Sequence, residues 1–167
     1  MLNHGMRAMI CLWAHTDLGM DAFMWWAYNN EDKGLRGQLM EIASLPLHGA
    51  QPIKLYDHDG EDDVILNTPG KLMTRAFIEG DLVTIYAINM AKYADRATIR
   101  AYQDYSFGIN DAIISGDIKY SQWTGVESNA KSFTVVSNQK ITGTDNTDNF
   151  AIDLPVRSIT CIQFKTN

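Results

Sequence analysis

The side chains that could do chemistry here are an acidic run, a scatter of glutamates, histidines and thiols, and two groups of aromatics. Asp57-His58-Asp59-Gly60-Glu61-Asp62-Asp63 is the densest anionic stretch. Its Asp57, Asp59 and Asp63 offer carboxylate oxygens at spaced positions, which suits a hard cation such as Ca²⁺. The glycine, however, stands at the fourth position where a helix-loop-helix calcium loop needs it at the sixth, and no bidentate glutamate follows at the twelfth. A solvated acidic turn and a structural Ca²⁺ in a loop are the two readings, with the turn favoured; no other cofactor is expected. His4, His15, His48 and His58 are too dispersed for a zinc site. Cys11 and Cys161 lie at opposite ends in apolar settings, which predicts two buried thiols and not a disulfide. There is no glycine-rich phosphate loop, nucleophile elbow or Cys-x-x-Cys.

The elements that must position these groups change character along the chain. Met6, Met9, Ile10 and Trp13 are spaced as one face of a helix over 2–13, ending near His15. Residues 21–28, Asp-Ala-Phe-Met-Trp-Trp-Ala-Tyr, form a short apolar run that reads as a strand buried on both faces. Leu35, Leu39, Ile42 and Ala43 then return to helical spacing over 34–45, with Pro46 and Gly49 as stop signals. From residue 53 onward the pattern is short alternating runs: 53–56, 64–66, 72–78, 82–89, 97–102, 113–120 and 132–136. The turns are Asp59-Gly60, Pro69-Gly70, Glu79-Gly80-Asp81, Ser115-Gly116-Asp117 and Asn146-Thr147-Asp148-Asn149. Such spacing predicts an antiparallel β-sandwich of the jelly-roll or immunoglobulin kind over residues 51–167, preceded by a helix-strand-helix unit over residues 1–50. Residues 72–89 make the best hairpin, with Gly80 free to take positive φ at its tip.

The last stretch, 150–164, gives two period-2 runs joined at Pro155. Phe150, Ile152 and Leu154 precede the break, and Ile162 and Phe164 follow it. Pro155 has no amide hydrogen for a ladder, so the chain is expected to bend there, leaving one sheet and joining another.

The pattern aromatic-x-Ile-x-Leu-Pro-x-x-Ser-Ile-Thr-x-Ile-x-Phe, from Phe150 to Phe164, resembles the final strand of the C-terminal β-sandwich that follows the barrel in clan A glycoside hydrolases, β-agarases and β-porphyranases among them. Leu82-Val-Thr-Ile-Tyr-Ala-Ile-Asn-Met90 resembles another strand of the same domain. The resemblance implies that residues 21–45 are the last βα unit of the barrel and 2–13 the helix before it. The chain would then be an accessory part of a polysaccharide-degrading enzyme. A free-standing carbohydrate-binding or structural sandwich is the alternative.

A retaining glycosidase needs two carboxyl groups about 5 Å apart. In the family those glutamates lie on barrel strands that this chain lacks. Glu31, Glu41, Glu61, Glu79 and Glu127 fall on turns or a helix surface and are expected to be solvated, so no catalytic residue is assigned. The resemblance does place an aromatic floor for the substrate at the end of the eighth barrel strand, where Trp25, Trp26 and Tyr28 stand. Indole faces pack on the C–H side of a sugar ring while Trp N–H and Tyr O–H bond its hydroxyls, although Trp-Trp in an apolar strand also suits a core. Adjacent strand residues take opposite faces, so Trp26 with Tyr28 is the preferred pair. Tyr102, Tyr105, Phe107, Tyr120 and Trp123 form a second group. Tyr105 to Gly108 and Trp123 to Gly125 read as loops that either bind saccharide or plug the sandwich ends.

With 167 residues, 46% of them hydrophobic, the chain can bury one sizeable core. The formal charge of -6, with lysine and arginine scattered, argues against nucleic acid. No uncharged run is long enough to span a membrane, and the N-terminus lacks the basic-then-apolar order of a signal peptide. The resemblance implies an extracellular or periplasmic setting, with polysaccharide and the rest of the barrel as partners. Exposed apolar faces on an isolated βα unit would predict self-association.

Overall fold

A computed structural model describes residues 2–18, 38–39, 41–42, 49–53, 72–90, 105–108, 114–125, 133–141 and 149–167. Along the chain they form α1 (Leu2–Asp17), β1 (Gln51–Ile53), β2 (Leu72–Glu79), β3 (Leu82–Asn89), β4 (Tyr105–Gly108), β5 (Ile114–Thr124), β6 (Thr134–Lys140), β7 (Asn149–Ile152) and β8 (Ser158–Thr166). Six of the strands make one antiparallel sheet in the order β1-β2-β3-β8-β5-β6, and β4 pairs with β7 in a second, two-stranded sheet. The fold is mainly β and of the sandwich type.

Period-2 alternation sends each central strand's side chains to two different cores. From β3, Val83, Ile85 and Ala87 join Ala76, Ile162, Phe164, Phe150, Ile152 and Leu154 in the core between the two sheets. Phe150 and Phe164 meet edge to face there, 5.8 Å between centroids. The other parity, Tyr86 and Ile88, joins Phe77 and Ile159 against Met6, Met9, Leu12 and Trp13 of α1 and against Leu39 and Ile42. Trp13 lies 5.4 Å from Tyr86 and 6.5 Å from Phe77. β3 is therefore buried on both faces, as its nearly continuous hydrophobic sequence requires, and β8 is so over 158–160, whereas Gln163 and Lys165 further along it are exposed. β6 differs: all seven of its residues are exposed.

The hairpin forms as expected, with Glu79 paired to Leu82 and Gly80 at φ 60. Glycine at the first loop position with positive φ is what a type II′ turn demands. The bend at Pro155 also forms. β7 belongs to the small sheet and β8 to the large one, and the crossing is held by Asn89 Nδ2 donating to the Leu154 carbonyl at 2.8 Å and Ser158 Oγ donating to the Pro155 carbonyl at 2.5 Å. α1 ends at Asp17, two residues beyond the expected end near His15. Gln38, Leu39, Glu41 and Ile42 are helical, as the spacing over 34–45 predicts. The expected strand 21–28 and the runs 64–66 and 97–102 lie outside the described residues.

Three expectations need correction. Ser115-Gly116-Asp117 is not a turn between strands. It is an irregularity within β5, where Gly116 takes φ 82 and the register with β8 shifts between Ser115 and Lys119; a bulge and a turn use the same residue types. Tyr105 to Gly108 is strand β4, and Trp123 lies in β5, so neither is in a loop. Finally, Cys11 is exposed on α1 and not buried, whereas Cys161 packs partly buried against the core; both are free thiols.

Candidate functional site

Where α1 stops covering the sheet, the same face continues as a cavity of about 370 Å³. Four neighbouring strands build its floor: β2 through Phe77 and Glu79, β3 through Thr84 and Tyr86, β8 through Cys161 and Gln163, and β5 through Ser121 and Trp123. Residues of one parity on registered strands must share a face, and the register pairs Thr84 with Gln163, Tyr86 with Cys161, and Cys161 with Ser121. Ile42 and Ala50 close the side toward the helical residues.

Apolar Phe77, Tyr86 and Trp123 share this lining with polar Glu79, Thr84, Ser121 and Gln163. Phe77 and Tyr86 are buried and meet edge to face at 6.3 Å. Tyr86 donates its hydroxyl to the Ile42 carbonyl at 2.7 Å, tying the helical segment to the sheet. Gln163 Nε2 donates to Thr84 Oγ1 at 3.3 Å, and Ser121 Oγ accepts the Asn138 amide at 3.0 Å. Glu79 is exposed at the mouth, and a Cβ built on Gly49 would lie 3.4 Å from its Oε1. Trp123 is half-buried and packs against the α1-side core.

Burial pushes the Cys161 thiol up to about 11, against a smaller opposing effect of the Tyr86 hydroxyl beside it. Burial raises the Tyr86 phenol as well. Neither is an activated nucleophile or base near neutral pH. Elsewhere Asp81 and Asp117 are held below the usual carboxylate range by hydrogen-bonded Lys165 and Lys140, in exposed ion pairs of 2.9 and 2.6 Å. A raised carboxyl, the mark of a general acid, does not occur among the described residues whose shift is resolved. Nor do these residues gather three metal-ligating side chains at one place.

Of the expected site residues, Trp123 alone falls among those described. Trp25, Trp26 and Tyr28, like Asp57, Asp59 and Asp63, lie outside them. The second aromatic group is not one surface. Tyr120 packs against the core between the sheets, whereas Trp123, three residues on, faces α1 and the cavity. Glu79, Thr84 and Gln163 were missed. The alternation of 82–89 does put Thr84 and Tyr86 on one face, but nothing local says that this face borders a cavity.

No protein family and no curated protein matches this chain. Among solved structures it is similar to the GH30 endoxylanase of Clostridium papyrosolvens C71, at 17% identity over 76% of this chain and 26% of that one, with a TM-score of 0.48. The subfamily 8 GH30 xylanase Xyn30A of Clostridium acetobutylicum is similar at 16% identity over 83% of this chain and 30% of that one, also with a TM-score of 0.48. The arabinose-bound GH51 α-L-arabinofuranosidase MgGH51 is similar at 14% identity, over 77% of this chain and 19% of that one, with a TM-score of 0.47. This chain thus spans less than a third of the length of each of these glycoside hydrolases.

Proposed function

We propose that this chain is the accessory β-sandwich and last helical unit of a polysaccharide-degrading glycoside hydrolase of agarase-like lineage, and that it braces a catalytic barrel without supplying the catalytic pair. The observation that carries this reading is the double burial of the large sheet's central strands. One face is closed by the second sheet, while the other is closed by α1 through Met6, Met9, Leu12 and Trp13, which fixes the sandwich rigidly to a helical element ahead of it. A self-contained binding module has no need to spend the second face of its central strands on a helix. The sequence resemblance supplies the lineage, and with it the extracellular or periplasmic setting and the barrel as partner. The purified chain should release no reducing ends from agarose, porphyran, xylan or mannan. It should form a stable complex, resolved by size-exclusion chromatography, with a separately expressed barrel from the same enzyme. Measurable hydrolysis by the chain alone would overturn the bracing role.

A further inference from the structure

We propose that the cavity over Ser121, Thr84 and Gln163, beside Trp123, binds one neutral sugar ring. The proposal concerns this sheet face and does not rest on the bracing role.

The chemistry of the lining selects the ligand class. Thr84 Oγ1 already accepts from Gln163 but keeps its own O–H to donate, and Ser121 likewise accepts the Asn138 amide while its O–H stays available. Gln163 keeps its carbonyl oxygen as an acceptor, and Glu79 adds a carboxylate at the mouth. The lining thus offers both donors and acceptors beside aromatic side chains. An anion would find too few donors and would be repelled by Glu79, the one charged group among the described lining residues. A plain hydrocarbon would leave the polar groups unpaired. A ring carrying several hydroxyls, each donor and acceptor, satisfies both kinds of group and lays its C–H side on the indole. The volume of about 370 Å³ falls within the range of small-molecule sites. The floor is preorganised, because Phe77, Tyr86 and Trp13 form one packed aromatic cluster and Tyr86 is anchored to Ile42. Cys161 lines the cavity and reports on its occupancy.

The test is calorimetric titration of the full chain with D-xylose, L-arabinose, D-galactose, D-glucose and their linear trimers, with choline and acetate as charged controls. At least one neutral saccharide should bind saturably. Trp123→Ala should weaken that binding about tenfold, the upper end of what an aromatic contact contributes. Gln163→Leu should cost about threefold to tenfold, as one neutral hydrogen bond does. Val136→Thr, paired with Gln122 on the opposite face of the exposed edge strand, should leave binding unchanged. In a Cys11→Ser background, the saccharide should slow alkylation of Cys161. Gln163 is exposed, so its variant keeps the reading decisive even where Trp123→Ala fails to fold. The proposal is overturned by no saturable saccharide binding to the folded chain, by binding that neither cavity variant weakens, or by preference for choline or acetate over every sugar. None of these outcomes touches the bracing role, which hydrolysis and complex formation test.

Discussion

Replacing Trp13 with alanine asks whether α1 is part of the sandwich's core or merely lies beside it. Trp13 is 1% exposed and stands within ring-contact distance of both Tyr86 and Phe77. Removing a buried indole costs about 3–5 kcal/mol, because the lost transfer energy is joined by the cavity left behind. That is a large share of the roughly 5–15 kcal/mol of stability typical of a domain. For a chain of this size each kcal/mol moves Tm by about 2–4 °C, so the melting point should fall by roughly 6–20 °C. Urea unfolding followed by circular dichroism should show the midpoint lowered with the slope unchanged. Leu18→Ala, at a residue 79% exposed just past the helix, is the control and should stay within about 0.5 kcal/mol of wild type. A Trp13→Ala loss below about 1 kcal/mol would mean that α1 contributes little to this core, and the argument for a brace would collapse with it.

Tyr86→Phe keeps the ring packing but leaves the Ile42 carbonyl without its 2.7 Å donor; a cost of about 1–3 kcal/mol is expected, and a neutral result would show that water replaces the bond. Stability should also fall in alkali. Cys161 and Tyr86 both have folded pKa values above their ordinary ones, so the folded chain holds these protons after the unfolded chain has released them. Their contribution is complete below about pH 9, the unfolded thiol's range, and is lost as pH rises toward 11. Denaturant midpoints measured from pH 8 to 11 check this, and a flat profile in that window would refute it. Gly80→Ala should cost about 1–2 kcal/mol from the backbone alone, since a Cβ there meets nothing within 4 Å while φ is 60; an equal loss at Asp81→Ala would point to the turn's side chains instead.

Much of the scaffold was legible because its signals are local. The i, i+3, i+4, i+7 spacing of Met6, Met9, Ile10 and Trp13 is a helix whatever surrounds it, and its apolar face duly packs on the sheet. Glu79-Gly80-Asp81 between two alternating runs is a hairpin wherever it occurs, and Pro155 cannot sit in a central ladder, so the chain bends there. The same local reasoning failed where one composition serves two geometries. Ser115-Gly116-Asp117 has the residues of a turn but lies within β5, because pairing to β8 on either side outweighs the local preference. Cys11 was expected to be buried from its apolar neighbours, yet a helix carries those neighbours to a different side.

The candidate site follows the same division. That Trp123 could meet a sugar is a property of indole, and the sequence alone supplies it. What Trp123 faces is not. Its neighbours in the cavity are Ser121 from its own strand, Cys161 and Gln163 from β8, Thr84 and Tyr86 from β3, and Glu79 from β2. They meet because β8 is inserted between β3 and β5, bringing residues far apart in sequence into register on one face. Strand alternation told which side chains of a single strand travel together. Only the order of strands, and the point where α1 ends its cover, decided which of those sets would meet around a cavity, because both arise from long-range pairing that no local pattern encodes.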